Sequence, residues 1–239
     1  MLKDVADALN LYMSFSDQDE PDWDLYWLDG PITPAFVFRM QAHQRVNHFA
    51  GMHVLARKNL LARNLQAMQR ALPEDFHFFP PTWILPQDAK DFKNQFNNKK
   101  AKTFIVKPEA SCQGKGIFLT RNCDWMAGSG EHYVAQRYLH KPYLIQGFKF
   151  DLRIYVLITG VNPLRAYITK EGLARFATEK YESPAGGNLG NMMMHLTNYA
   201  INKDSCGFVY NRDPNRDDVG HKRSLRAILR HVDEKRRYF

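Results

Sequence analysis

The amino-acid sequence predicts an α+β fold from three features met in order along the chain. In "LARKNLLARNLQAMQRALP", apolar residues recur at helical spacing before Pro73, so we expect an amphipathic helix whose apolar stripe is core. Short β-branched or aromatic runs between turn residues, "TFIVKP", "GIFLT" and "YVAQRYL", then predict strands. Finally, the alternating stretch "FKFDLRIYVLITG" predicts a further strand, and "LRAYITKEGLARFAT" predicts a hairpin that turns at Glu171 and Gly172.

The organisation of the chain follows from its length and its turn residues. The 239 residues are 44% hydrophobic and 13% aromatic, which is enough apolar material for one large domain or for two or three small ones. Proline, glycine and asparagine accumulate at 73–86 and at 181–190, where we expect breaks. Three structural parts are therefore expected.

Composition restricts the compartment and the partners. The three cysteines are an odd number without metal-ligand spacing, and they favour a reducing cytosol. No cationic and apolar leader opens the chain, and its longest strongly apolar stretch, 154–158, is far shorter than a bilayer span, so we expect neither secretion nor membrane insertion. The formal net charge of +8 favours acidic partners, which from charge alone are acidic proteins or nucleic acid.

The stretch "FIVKPEASCQGKGI" has the features of a phosphate-binding strand and loop. Gly114 and Gly116 let backbone N–H groups approach an anion closely, while Lys107 and Lys115 supply positive charge around it. The spacing is not that of a Walker loop, because no serine or threonine follows the glycine-lysine pair. The alternative interpretation is a plain glycine turn.

The alternating strand that follows carries charges on one of its two faces. Its period of two places Lys149, Asp151 and Arg153 on one face, and the hairpin brings Arg175 beside them. Two cations and a carboxylate on one strand face are costly to bury without partners, which favours a site. The alternative is a solvated edge strand.

Long stretches in order along nearly the whole chain resemble the tubulin tyrosine ligase-like family, in particular its polyglutamylases. They are "LYWLDG", "QRVNHFAGMHVLARKNLLARN", "DFHFFPPTWILP", "FIVKPEASCQGKGIFLTRN", "GFKFDLRIYVLITG", "EGLARFATEKY" and "MHLTNYAINK". The resemblance implies an ATP-grasp-like fold with an N-terminal lobe at 1–80, a central lobe at 81–147 and an incomplete C-terminal lobe at 148–239. ATP would lie between two lobes.

The resemblance also implies which residues of the central lobe bind ATP. Lys107 would hold phosphate, and a loop would close over it, formed by Gln113, Gly114, Lys115 and Gly116. A hinge behind the adenine would consist of Gln136, Arg137, Tyr138 and Leu139. The same four residues also fit an ordinary buried strand.

In the C-terminal lobe, the resemblance implies contacts with the rest of the nucleotide. Lys149 and Asp151 would contact phosphate and ribose, and Thr197 and Asn198 would add polar contacts. Arg153 would be catalytic, since a fixed cation facing the transferring phosphoryl group stabilises its spread negative charge.

The donor amino acid would bind at a second group of residues. Arg175 would clamp the carboxylate of free glutamate, because a guanidinium suits a bidentate pair. Further amino-acid-binding positions implied by the resemblance are Tyr199, Ser205 and Lys222. Arg223 stands where the family usually has an aromatic residue, and His195 is interpreted as structural because no partner residue is spaced to join it on a metal.

The resemblance implies magnesium as a second cofactor, but no metal ligand is predicted in this chain. The family's ligands are an aspartate and then a glutamate and an asparagine in a last pair of strands, and the sequence ends at Phe239 before either. Metal neutralises developing charge in phosphoryl transfer, so we expect little turnover without those strands.

The sequence therefore predicts an ATP-dependent ligase that joins free glutamate to side-chain carboxylates of acidic tubulin tails through an acyl phosphate. The expected location is the cytoplasmic microtubule cytoskeleton, including a cilium or basal body. One rival is a relative that binds ATP or tubulin without turnover. A basic nucleic-acid-binding protein is a second rival, but no recognised module supports it. Glycine as donor, the choice of tubulin tail, and initiation or elongation stay open at this point.

Overall fold

The computed structural model describes residues 2–15, 22–97, 101–109, 111, 113–127 and 130–236. Helices and strands occur together, which confirms the predicted α+β class. The chain divides into two compact units, Met1–Leu61 and Ala62–Phe239. Among the described residues, no helix has both the length and the hydrophobicity of a transmembrane span.

The first unit consists of short elements. They are α1 (Leu2–Ala8), β1 (Leu25–Tyr26), α2 (Pro34–Arg39), β2 (Arg45–Val46), α3 (His53–Ala56) and the start of α4 (Lys58–Ala71), with β1 and β2 paired in parallel. Thr33 caps α2, since its side chain accepts a hydrogen bond from the amide of Phe36 at 3.2 Å, and Pro34 fits the first turn. Local capping therefore explains where α2 begins.

The predicted amphipathic helix is α4, which ends two residues before Pro73 as expected. Its apolar stripe is less buried than predicted, because Met68 and Leu72 are 40% and 46% exposed. Within the second unit this helix is held by a polar contact, in which Gln66 donates to the carbonyl of Thr82 at 2.7 Å. The spacing thus predicted the helix correctly and its burial only in part.

The second unit begins with a four-stranded antiparallel sheet. Its strands are β3 (Thr82–Leu85), β4 (Phe104–Pro108), β5 (Phe118–Thr120) and β6 (Tyr133–Arg137), in the order β3-β6-β4-β5, and α5 (Ala89–Asn94) packs beside them. Phe104 and Val106 of β4 are fully buried, with Trp83 and Phe92, in an apolar core. Because side chains alternate along a strand, Lys107 projects from the opposite face.

A second antiparallel sheet lies in the later part of this unit. The elements after the first sheet are β7 (Leu144–Ile145), β8 (Phe148–Arg153), β9 (Val156–Val161), β10 (Leu164–Ile168), β11 (Leu173–Lys180), α6 (Met192–His195), α7 (Tyr199–Asn202), β12 (Lys222–Ser224) and α8 (Leu225–Arg236). The second sheet has the order β12-β11-β8-β7. Phe148, Phe150 and Phe176 line one face and pack with Ile228 and Val232 of α8. That core leaves the opposite face of the sheet for polar residues.

The predicted hairpin at Glu171 and Gly172 is wrong. Strand β10 pairs with β9 around the turn at 162–163, where Asn-Pro is itself a turn signal, and β11 pairs with β8. A side-chain carbon at Gly172 would lie 2.7 Å from the carbonyl oxygen of Arg153, so glycine permits this close approach of the two strands. Arg175 nevertheless lies beside Asp151, as predicted.

The β9-β10 hairpin contributes little to the core of the second unit. Six of its apolar side chains are more than half exposed: Val156, Leu157, Val161, Leu164, Tyr167 and Ile168. The single stretch "FKFDLRIYVLITG" is divided between β8 and β9, so its alternation describes two strands and not one.

Asn202 joins α7 to β11 through a buried set of hydrogen bonds. Its Oδ1 accepts from the amide and the hydroxyl of Thr178 at 3.0 and 2.9 Å, and its Nδ2 donates to the carbonyls of Leu196 and Asn198 at 2.9 and 3.1 Å. The residue is 1% exposed, so these partners replace water completely. This contact places the segment 196–198 against the sheet.

Replacing Asn202→Ala is expected to destabilise the second unit by about 3 kcal/mol, because the buried amide of Thr178 and the carbonyl of Leu196 lose their partners. Urea unfolding followed by circular dichroism measures the change. Asn64→Ala on the exposed side of α4 is the matched control and should change stability by about 0.5 kcal/mol or less. Equal effects of the two substitutions would contradict the role given to Asn202.

Candidate functional site

Two lysines from different sheets lie near one another in the second unit. Lys107 projects from β4, and Lys149 projects from the polar face of β8. Burial, opposed by the attraction of Asp151 and supported by the repulsion of Lys107, lowers the pKa of Lys149 to about 8. The sequence assigned both lysines to phosphate, and the structure brings them within electrostatic range.

Lys107 is oriented by a chain of hydrogen bonds across the first sheet. Its Nζ donates to Oε1 of Gln136 at 2.5 Å, and Nε2 of Gln136 donates to the hydroxyl of Thr82 at 3.0 Å. Since Gln136 lies opposite Ile105 in the register of β4 and β6, its side chain shares the face of Lys107. The predicted hinge residue thus holds the predicted phosphate lysine.

Lys149 has a more enclosed environment. Its Nζ donates to the hydroxyl of Tyr138 at 2.9 Å and to the carbonyl of His195 at 2.8 Å, and it lies 4.5 Å from the centre of the Tyr138 ring. Tyr138 is 3% exposed and His195 is fully buried. Burial raises the pKa of the Tyr138 hydroxyl and lowers the pKa of His195, so the phenol and the imidazole are both neutral.

The glycine loop lies against Asn198 and the helix α7 that follows it. Gln113, Gly114 and Gly116 have φ values of 59°, 89° and 68°, and a side-chain carbon at Gly114 would lie 2.6 Å from Cδ1 of Ile201 and 3.1 Å from Cγ of Asn198. Glycine is therefore required at position 114 for two reasons, the backbone conformation and the close packing. Lys115, at the tip of the loop, is exposed.

Asn198 and Thr197 are half-buried, and Asn198 lies beside this loop. Asn198 precedes α7, and its backbone carbonyl accepts from Nδ2 of Asn202 at 3.1 Å. The structure thus brings the predicted loop and the predicted "HLTNY" residues together. They come from positions more than 80 residues apart in the sequence.

Arg175 and Asp151 form a two-point ion pair across β11 and β8. The guanidinium Nε donates to Oδ1 of Asp151 at 2.9 Å, and one Nη donates to Oδ2. This hydrogen-bonded pair raises the pKa of Arg175. Since the carboxylate occupies the side edge of the guanidinium, the end edge with both Nη groups can still form two hydrogen bonds.

The remaining predicted residues of this face differ in their surroundings. Arg153 is exposed, and its side chain has no ion-pair partner among the described residues. Lys222 lies opposite Arg175 in the register of β12 and β11, and its Nζ lies 4.8 Å from the centre of the Tyr199 ring. The Ser205 hydroxyl accepts from the amide of Gly207 at 3.2 Å and therefore supports a turn. Tyr199 and Lys222 thus form a cationic and aromatic pair next to Arg175.

Arg223 projects to the opposite face from Lys222. Its guanidinium carbon lies 4.2 Å from the centre of the Phe176 ring, and it donates to the carbonyl of Gly220 at 2.9 Å and to the amide oxygen of Gln146 at 2.7 Å. Burial lowers its pKa. The planar guanidinium stacks on an aromatic ring where the resemblance implies an aromatic residue, so the packing beside Lys222 is maintained.

Two predicted hinge residues lie apart from the lysines. The guanidinium carbon of Arg137 lies 5.6 Å from the centre of the Phe104 ring, on the core side of the sheet, and burial lowers its pKa. Leu139 is 66% exposed. A cavity of about 180 Å³ lies on the α8 side of the second sheet, lined in part by Gln146, Arg223 and Arg230, and it contains none of the predicted site residues.

Sequence reasoning missed the contacts that hold Lys149. Tyr138 was assigned to the adenine hinge and His195 was assigned a structural role, yet both contact the lysine directly. Tyr138 and His195 are 57 positions apart, so no spacing pattern could indicate their hydrogen bond. No group of three or more histidine, cysteine, aspartate or glutamate side chains suited to a metal occurs among the described residues.

Comparison with known proteins places this arrangement in a family. The sequence model of the tubulin-tyrosine ligase family matches residues 37–238, which include every candidate residue of the site. The chain is 54% identical over 220 residues to a probable beta-tubulin polyglutamylase of Tetrahymena thermophila, covering 91% of this chain and 18% of that protein. It is 47% identical over 213 residues to tubulin polyglutamylase ttll6 of Danio rerio, covering 89% and 27%.

A human relative gives a similar result. Tubulin polyglutamylase TTLL13 of Homo sapiens is 49% identical over 210 residues, which cover 88% of this chain and 25% of that protein. The chain thus spans between about a fifth and about a quarter of the length of these curated relatives. Since the family model covers most of the sequence, the chain belongs to the tubulin-tyrosine ligase family.

Proposed function

We propose that this chain forms the nucleotide-binding and amino-acid-binding part of an ATP-dependent tubulin polyglutamylase. The observation that carries the proposal is the placement of Lys107 and Lys149, each oriented by hydrogen bonds on the polar face of its own sheet. The charge of Lys107 also helps to lower the pKa of Lys149. Two like charges held together in a partly buried place cost free energy, which an anionic ligand offsets. The names of the relatives support glutamate transfer to tubulin as the reaction.

The residues around the lysines fit the phosphates of ATP. The loop 113–116 lies against Asn198, and its left-handed backbone at Gly114 and Gly116 allows N–H groups to converge on an anion. The two sheets would be the central and C-terminal lobes of an ATP-grasp enzyme, with the N-terminal lobe before them. Lobes at 1–80, 81–147 and 148–239 are part of this proposal.

The adenine would be read by the backbone after β6. The amides of Arg137 and Tyr138 already donate to the carbonyls of Pro81 and Thr103, at 2.9 and 3.0 Å. The amide of Leu139 is therefore the group we assign to the base edge, and the exposed Leu139 side chain would cover the ring.

Free glutamate would bind at the polar face of the second sheet. Arg175 is held by Asp151 along its side edge, so the end edge would receive the α-carboxylate in a bidentate pair. Lys222 lies beside Arg175 and would attract the second carboxylate of the donor. Two cations at adjacent register positions favour an acidic donor over glycine.

The chemistry follows from these positions. ATP would supply a phosphoryl group that activates a carboxylate of the tubulin tail as an acyl phosphate, and the amino group of free glutamate would then displace phosphate to form an isopeptide bond. Exposed Arg153, two residues beyond Asp151 on β8, would face the transferring group and stabilise its charge. Among the described residues, no group of three or more histidine, cysteine, aspartate or glutamate side chains is suited to a metal.

The proposed protein substrate and location rest on the net charge of this chain and on the names of its relatives. The formal net charge of +8 would attract the acidic tubulin tail. The site of action would be the cytoplasmic microtubule cytoskeleton, with cilia as a candidate.

A second candidate function is binding of ATP or tubulin without turnover. The observation that favours it is the lack of a metal-binding group among the described residues. Incorporation of labelled glutamate into microtubules, measured beside ATP binding, separates the two functions. Incorporation above background supports the ligase, and ATP binding without incorporation supports the second candidate.

Lys107→Ala and Lys149→Ala are each expected to weaken ATP binding by roughly tenfold or more, because each removes a charged hydrogen-bond donor from the phosphate position. Titration calorimetry measures the affinity. Lys170→Ala, which removes an exposed cation, is the matched control and should leave the affinity unchanged. Unchanged ATP affinity in both folded site variants would remove the nucleotide assignment.

Arg175→Lys should weaken glutamate binding far more than ATP binding, because an ammonium cannot bond Asp151 and a carboxylate with the fork of a guanidinium. Glutamate is titrated into protein saturated with a non-hydrolysable ATP analogue. Arg226→Lys keeps an exposed pair with Glu171 and serves as control. Similar losses for both ligands after the Arg175 substitution would count against the donor site.

ATP affinity should decrease as the pH rises above about 8, since the Lys149 ammonium then loses its proton. Bound phosphate favours the charged amine, so binding near pH 8.5 should take up protons from the buffer. Calorimetry in buffers with different ionisation enthalpies measures this uptake. Lys149→Met should abolish it, and uptake that persists in that variant would exclude Lys149 as its source.

A further inference from the structure

We infer that Tyr138 and His195 are positioning residues for Lys149, which together aim one N–H of its ammonium at the phosphates of the nucleotide. The hydrogen bonds of Lys149 with Tyr138 and His195 do not depend on any ligand. The identification of phosphates as the target of the lysine rests on the proposed function. Neither residue has this role in the resemblance, which placed Tyr138 behind the adenine.

The three groups form one continuous buried network. Nζ of Lys149 lies 2.9 Å from the Tyr138 hydroxyl and 2.8 Å from the His195 carbonyl. The same hydroxyl lies 3.0 Å from Nδ1 of His195, and Nε2 of His195 lies 3.1 Å from the carbonyl of Asn188. With Tyr138 at 3% exposure and His195 at 0%, water cannot substitute for these partners.

Chemistry assigns a direction to every hydrogen bond in the network. An ammonium only donates, so the Tyr138 oxygen accepts from Lys149 and its O–H donates to Nδ1 of His195. Nδ1 must then lack a proton, and Nε2–H donates to the Asn188 carbonyl. This neutral tautomer agrees with the pKa of His195, which is lowered because burial and the charge of Lys149 both disfavour protonation of the ring. One arrangement of protons therefore satisfies Lys149, Tyr138, His195 and the Asn188 carbonyl, while Tyr181, whose hydroxyl also interacts with that of Tyr138, donates its own proton to the carbonyl of His140 at 2.9 Å.

The partners orient Lys149 without cancelling its charge. Both acceptors are neutral, and Asp151, the carboxylate that attracts Lys149, forms its hydrogen bonds with Arg175. Two of the three N–H groups have acceptors, and among the described residues the third has none. The Tyr138 ring at 4.5 Å further restricts the side chain.

A fixed cation is useful where a polyphosphate must be held in one geometry. A free lysine loses rotamer entropy when it binds, whereas the network has already ordered Lys149. The remaining N–H is then directed by the other two, because the three bonds of an ammonium have a fixed tetrahedral arrangement. The charge of Lys107, which lowers the pKa of Lys149, adds to the attraction for an anion at this place.

Tyr138→Phe is the test, since it keeps the ring and removes only the hydroxyl. We expect ATP affinity to fall about tenfold while glutamate affinity, measured with the ATP analogue at saturation, stays within about twofold. We also expect a further decrease in the pKa of Lys149, measured by NMR on the ligand-free protein, because its ammonium loses an acceptor.

The matched control is Tyr143→Phe. Tyr143 is 54% exposed and its ring centre lies 6.3 Å from that of Phe150, so the same hydroxyl is deleted without removing a partner of Lys149, Tyr138 or His195. It should change neither ATP affinity nor the Lys149 pKa by as much as Tyr138→Phe.

The outcomes separate this inference from the proposed function. Wild-type protein that binds no ATP refutes the nucleotide site and, with it, the target of the lysine. Wild-type protein that binds ATP, with Tyr138→Phe binding ATP no more weakly than Tyr143→Phe, refutes the positioning role alone. Equal losses of ATP and glutamate affinity in Tyr138→Phe would indicate a general distortion and would also refute it.

Discussion

The two-residue repeat of antiparallel strands is the constraint on which the rest of this structure depends. On β8 it sends Phe148 and Phe150 into the core beneath α8, and it sends Lys149 and Asp151 to the opposite face. On β4 it buries Phe104 and Val106 and leaves Lys107 on the other side. The same burial that stabilises each sheet therefore also orients its charged residues.

Charges brought together in this way need partners, and the structure provides two kinds. Arg175 has a carboxylate partner, which satisfies the charge but leaves one edge of the guanidinium for a ligand. Lys149 has a phenol oxygen and a carbonyl, which satisfy hydrogen bonds and leave the charge in place. The difference suits the two tasks that we propose for them, recognition of a carboxylate by a planar fork and attraction of a polyphosphate by an ammonium.

Residues without charge support these groups from a distance. Asn202 anchors α7 to β11 and so places Asn198 beside the glycine loop, where Gly114 permits the close approach. Gly172 lets β11 begin next to Arg153, which sets the register that pairs Arg175 with Asp151. The glycines act by allowing close approach, and Asn202 acts through buried hydrogen bonds. In each case residues distant in sequence are brought together.

The sequence by itself determined the fold class, the amphipathic helix α4, three strands of the first sheet (β4, β5 and β6), and the face shared by Lys149, Asp151 and Arg153, because each of these depends on local periodicity and turn residues. The resemblance further indicated the family, which the comparisons confirm. Only the tertiary structure decided that β10 pairs with β9, that Met68 and Leu72 are largely exposed, and that Tyr138 and His195 hold Lys149. Strand pairing, burial and hydrogen bonds between distant segments depend on how separate elements pack, and no local pattern encodes that packing.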